Sequence, residues 1–157
     1  MKYEFHREWL TKKFEEIRRR LLKAIDQLNE QQLNWVPSAS VQSIPSILRH
    51  IEDNIMIRVR NSILLEELAC DRRSLLEQAH MTKEEAIDLV DRNMLLIINV
   101  LNDVSDETLE QLQEVRGKLR SNLDMLHQCA AHYSEHMGQV FYLAKLSLGD
   151  SYHTTSV

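Results

Sequence analysis

Along this chain apolar residues recur in alternating steps of four and three, the spacing that gathers side chains on one stripe of an α-helix. Leu10, Phe14, Ile17, Leu21, Ala24 and Leu28 form the first stripe and leave Lys12, Glu15, Arg18 and Lys23 largely outside it. They predict a helix over roughly residues 3–30. Ser43 can cap a second helix, with Pro45 in its first turn, where a missing N–H costs nothing. Ile44, Leu48, Ile51, Ile55, Val59 and Ile63 then carry that helix, placed at about 43–66. Thr82-Lys83-Glu84-Glu85 is a capping box, and Ala86, Val90, Met94, Ile97 and Leu101 supply a third stripe over about 82–102. A fourth helix runs from about 119 to 148, where Gly149 stops it.

The stretches between these helices are polar but not featureless. Gln31 to Gln42 loses periodicity yet holds Trp35, too large to leave in water without reason, so it reads as a packed connection. Between Asn102 and Gly117, Ser105-Asp106-Glu107 can start a short extra turn and Gly117 can break it. Ser151 to Val157 reads as a frayed tail. Every stripe must find partners, so the economical solution is one all-α domain over residues 1–157, a four-helix bundle. Its long connections would permit crossovers between parallel neighbours.

Composition narrows this picture. With 43% hydrophobic residues among 157, the chain can bury a full core without metal or disulfide, and 3 Gly and 2 Pro are too few for a turn-rich β fold. A net charge of −5 argues against nucleic acid or an anionic membrane as the main partner, which makes Arg18, Arg19 and Arg20 a solvated helix face. Cys70 and Cys129 cannot form a disulfide framework, and the segment from Lys2 to Glu8 has no apolar leader. These features point to a reduced, cytoplasmic protein. Charges interrupt every apolar run before the roughly 18 residues that a membrane-spanning helix needs.

The chemistry concentrates on the fourth helix. In His132-Tyr133-Ser134-Glu135-His136 two imidazoles stand four residues apart, on a stripe otherwise made of Met125, Cys129, Val140 and Leu143, so both should point into the bundle. His50 shares a stripe with Ile47, Asn54, Ile57 and Leu64 and should also face inward. Three core histidines can simply bond to backbone or polar neighbours. Alternatively, three neutral nitrogens on one side of a divalent ion leave a position open for water or substrate, the layout of a catalytic zinc-type site.

Asn54, one turn beyond His50, could orient an imidazole or a bound water, or be an ordinary contact between helices. Cys129 is either a small buried hydrophobe or a further ligand, and ligation would close the site and make it structural. His127 projects away from His136, while His6, His80 and His153 lie outside the stripes and read as exposed. The H-x-x-E-H match needs a further carboxylate well downstream, where Asp150 is the sole acid, and Glu77-Gln78-Ala79-His80 is the one Glu-x-x-His motif. Neither a zinc protease nor a di-iron bundle is supported.

The segments Trp35-Val36-Pro37, Ser43-Ile44-Pro45-Ser46-Ile47-Leu48-Arg49-His50-Ile51, Asp71-Arg72-Arg73 and His132-Tyr133-Ser134-Glu135-His136-Met137-Gly138-Gln139 stand in an order that resembles the DinB/YfiT-like superfamily of metalloenzymes. The resemblance covers nearly the whole chain. It implies a four-helix bundle with parallel first and second helices, and a zinc or nickel ion held at the positions of His50, His132 and His136. It further implies a small-molecule substrate, in some relatives a low-molecular-weight thiol such as bacillithiol or mycothiol, and a homodimer. The activity it suggests is a thiol S-transferase or a hydrolase, with catalytic residues unassigned. The competing expectation is a non-catalytic bundle that binds metal or ligand in a stress response.

Overall fold

In the computed structural model, which describes residues 1–69 and 80–156, the predicted stripes become buried helix faces. Helix α1 (Glu4–Asp26) buries Leu10, Phe14, Ile17, Leu21 and Ala24. A four-residue helix, α2 (Glu30–Leu33), follows with a capping box made by Asn29 and Gln32. Ser43 accepts a hydrogen bond from the Ser46 N–H and starts α3 (Ile44–Ile55), with Pro45 in its first turn. From Met56 to Asn61 the same helix continues in π-helical form. Thr82 and Glu85 cap α4 (Lys83–Asp103), and Ser105 caps the short α5 (Asp106–Glu110). Ser121 caps α6 (Asn122–Leu148), which Gly149 ends at φ 58°.

The hydrogen bonds between helices fix their directions. Lys83 Nζ reaches the Asp26 carbonyl at one end of the α1/α4 pair (2.7 Å). At the other end the buried Arg7 guanidinium donates to the carbonyls of Leu101 and Val104 and to Asp106. Helices α1 and α4 are therefore antiparallel, and Arg7 satisfies carbonyls that the end of α4 leaves open. His6 meets His127 near the start of α6, and Arg20 lies over Phe141 further along, so α1 and α6 run parallel. His50 packs on His136 while Asn54 bonds to Tyr133, so α3 runs antiparallel to α6 and hence parallel to α4.

This arrangement corrects the parallel first and second helices that the resemblance implied. Residues 27–43 return the chain to α3 at the end of the bundle where α1 finished, which forces a reversal. The parallel neighbours are α3 and α4. Cys70, the Asp71-Arg72-Arg73 stretch and Glu77 lie outside the described residues.

Four other expectations change. The fourth long helix, expected from about 119, starts only at Asn122, because the residues before it form an antiparallel hairpin, β1 (Leu112–Val115) with β2 (Lys118–Ser121), in which Leu112 pairs with Ser121 and Val115 with Lys118. Its two-residue turn, Arg116 at φ 51° and Gly117 at φ 76°, has the positive φ at both positions that marks a type I′ hairpin. The tail is docked: Gln27 exchanges hydrogen bonds with the His153 backbone (2.8 and 2.9 Å), and Thr155 is buried. The arginine run is not a solvated face, because Arg18 bridges to Asp91 of α4 (2.7 Å) and Arg20 packs on Phe141. Trp35, expected to be packed, remains exposed. Among the described residues no helix is long and apolar enough to cross a membrane.

Candidate metal centre

The bundle brings His50, His132 and His136 together. Their three nearest ring nitrogens lie within 4.8 Å of one another, a group able to hold a metal ion. The ring centroids stand 5.4 Å apart for His50 and His132, 4.8 Å for His50 and His136, and 4.5 Å for the helical pair. The four-residue spacing on α6 aligns the latter two, and the antiparallel packing of α3 against α6 delivers the first. The cluster is not in the core, as the apolar stripes suggested: His50 is exposed and the other two are half-buried. Each stripe is broad, and these rings occupy its solvent edge.

Around the rings, hydrogen bonding selects protonation states. Gln139 Oε1 accepts from His136 Nδ1 (2.7 Å), which leaves the His136 Nε2 lone pair directed at the cluster. That lone pair faces His132 Nε2 at 2.9 Å. Two bare lone pairs would repel at this separation, so the contact calls for a cation between the rings or a proton on His132. Burial, and then the neighbouring His136 and His50 rings, push the His132 pKa down, favouring the neutral form that ligates metal. Tetrahedral zinc with nitrogens at about 2.0–2.1 Å would hold them roughly 3.3 Å apart. One nitrogen pair stands at 2.9 Å and all three lie within 4.8 Å of one another, a spread that small side-chain shifts bring to that value.

The other candidates separate cleanly. Asn54 accepts a hydrogen bond from the Tyr133 hydroxyl (2.7 Å), a contact between helices. Cys129 is buried, its Sγ sits 3.9 Å from Asn54 Oδ1, and it is not part of the histidine group. Burial pushes its thiol up to about 11. His127 lies on the opposite side, stacked on Trp9 and 3.0 Å from His6. His6 is thus half-buried instead of free in solvent, while His80 and His153 are exposed as expected. Glu135 is exposed beside His132.

Two recesses flank the cluster. One, of about 480 Å³, lies between α3, the hairpin and α6 and is lined by Asn54, Arg58, Arg116, Lys118, Cys129 and His132 among others. The second, of about 470 Å³, is more apolar and is formed by Val41, Ile47, Gly138, Gln139, Tyr142 and Leu143. Gln139, Arg58 and Arg116 were not singled out in the sequence. Gln139 stands three residues after His136 and was findable by helical spacing, whereas Arg116 reaches the site only because an unanticipated hairpin carries it there.

A mostly helical bundle with three histidines converging from α3 and α6 is consistent with a DinB-like fold. Within that class, the chain belongs to the family described as protein of unknown function DUF1572, which matches residues 4–157. It is similar in fold to the crystal structure of the conserved protein of locus from Enterococcus faecalis, with a TM-score of 0.74 at 12% identity, over 91% of this chain and 97% of that one. No curated protein matches the chain.

Proposed function

We propose that this chain is a divalent-metal-dependent enzyme in which His50, His132 and His136 hold zinc or nickel and the adjoining recesses admit a small organic substrate. The observation that carries this reading is the convergence of three imidazole nitrogens within 4.8 Å, with His132 lining an adjoining groove. A bound ion with an open position favours a thiolate over a thiol, or hydroxide over water, at neutral pH. The protein's part is to present neutral imidazoles, with Gln139 holding the His136 proton on Nδ1. Transfer of a low-molecular-weight thiol is the reaction class this reading favours, with hydrolysis the other. The same reading has the protein working in the cytoplasm, with dimerisation carried over from the superfamily.

The second reading, a non-catalytic metal- or ligand-binding bundle serving a stress response, draws on the direct His132–His136 contact, which can satisfy both rings with a proton alone. Elemental analysis of the purified chain beside a His132→Ala/His136→Ala variant separates the possibilities. Near one equivalent of zinc or nickel, lost in the variant, is the expected result; no metal in either, even after incubation with divalent ions, would sink the metal reading. His50→Ala then divides catalysis from structure: a catalytic ion predicts lost turnover on an intact fold, a structural ion a sharp fall in Tm.

A further inference from the structure

The groove beside His132 carries a charge opposite to that of the chain. The protein has a net charge of −5, yet this recess gathers Arg58, Arg116, Lys118 and Arg120 around Glu135 as its one acid. Arg120 is engaged with Asp124 at 2.7 Å. Elsewhere Arg7, Arg18, Arg20, Arg60 and Arg92 each meet a carboxylate. Among the described residues, Arg58, Arg116 and Lys118 form no such pair, so three of the four cations lining this one groove lack a carboxylate partner there. Like charges held around one concavity repel, a cost that an anion between them relieves.

Their placement is built by three separate elements. Arg58 comes from the π-helical extension of α3, a helix form that recurs at functional sites. Lys118 opens β2, and Arg116 occupies a left-handed turn position where glycine or asparagine would sit without strain. A buried amide pair anchors that hairpin. Gln113 donates to Asn122 Oδ1 (2.8 Å) and to the Arg58 carbonyl (3.3 Å), and Asn122 donates to the Thr108 carbonyl (2.7 Å). The hairpin is thereby tied to the helix that carries Arg58.

We propose that this groove binds the acid end of a small anionic substrate, a carboxylate or a phosphate, and presents the rest of that molecule to the three-histidine cluster. The inference rests on the metal-dependent reading for what happens at the cluster, but the groove's selectivity belongs to the arginines and lysine. Guanidinium forks suit both kinds of acid because each offers paired oxygens. A volume of about 480 Å³ is that of a small-molecule site.

The test is titration calorimetry of the full chain with mercaptosuccinate and with neutral 1-thioglycerol, in metal-free and zinc-loaded protein, beside an Arg58→Gln/Arg116→Gln/Lys118→Gln variant. Mercaptosuccinate should bind about tenfold or more tightly than thioglycerol in the metal-free wild type, with the advantage shrinking as salt rises and vanishing in the variant. Equal binding of the two thiols by wild type, or a folded variant that keeps the advantage, overturns the inference. Should the triple variant fold poorly, Arg116→Gln alone, at an exposed turn, must weaken mercaptosuccinate about threefold and leave thioglycerol unchanged. Displacement by inorganic phosphate assigns a phosphate end, and its failure a carboxylate. Zinc uptake is scored separately. Anion preference in a protein that takes no zinc supports the groove and removes the metal reading, whereas zinc uptake without preference overturns the groove alone.

Discussion

Tyr133 is wholly buried, and its hydroxyl donates to Asn54 Oδ1 at 2.7 Å. Truncating the acceptor strands a buried O–H, while removing the hydroxyl leaves a half-buried amide that water can still reach. Asn54→Ala should therefore destabilise the protein by about 1–3 kcal/mol and Tyr133→Phe by clearly less, read from urea unfolding midpoints. Equal costs would show that the bond does not hold α3 to α6. His132 and His136 were legible in the sequence because a four-residue spacing has one meaning on a helix. Their exposure was not, because an apolar stripe tells which face turns inward but not how near its edge a given ring lies. Asn54 had two readings for the same reason: a polar residue among apolar ones needs a partner, and only packing names it.

The long helices followed from periodicity and caps, and Ser43, Thr82 and Ser105 cap where expected. The hairpin did not, since strands of four residues give periodicity too little length to register and Arg116-Gly117 lacks the Asn-Gly signature of its turn type. That turn offers a clean measurement. A Cβ built on Gly117 meets nothing within 4 Å, so Gly117→Ala is opposed by backbone conformation alone. It should cost about 1 kcal/mol in chemical denaturation, and a neutral result would mean that the turn relaxes to another type. The docked tail was hidden for a related reason. Thr155 and His153 sit in a polar, aperiodic stretch, and their partners, Arg20 and Gln27, lie on a helix more than a hundred residues earlier.

For the whole molecule, the histidines set the response to acid. His132 and His127 both have pKa values lowered from the ordinary imidazole range, chiefly by burial, with like-charged histidine neighbours adding to it. In the unfolded chain these rings take up protons at about pH 6.5, above the pH at which the folded protein does, so the unfolded state binds more protons in that window. Stability should accordingly be full above neutrality and fall as pH drops from about 7 to 5, before the lowered carboxylates Glu16, Asp106 and Glu110 begin to titrate. Unfolding midpoints measured across that range check the sign, and a midpoint that stays flat or rises on acidification would refute it. The sequence by itself determined that this is a bundle of the all-α class, roughly where its four long helices lie, and that three histidines are the residues to watch, because spacing and capping act within a few turns of chain. Tertiary structure alone decided that the second and third long helices run parallel, that the histidine cluster opens to solvent, and that Arg58 and Arg116 stand beside it. Those features arise from contacts between residues tens of positions apart, where no local periodicity records which face of one element will meet another.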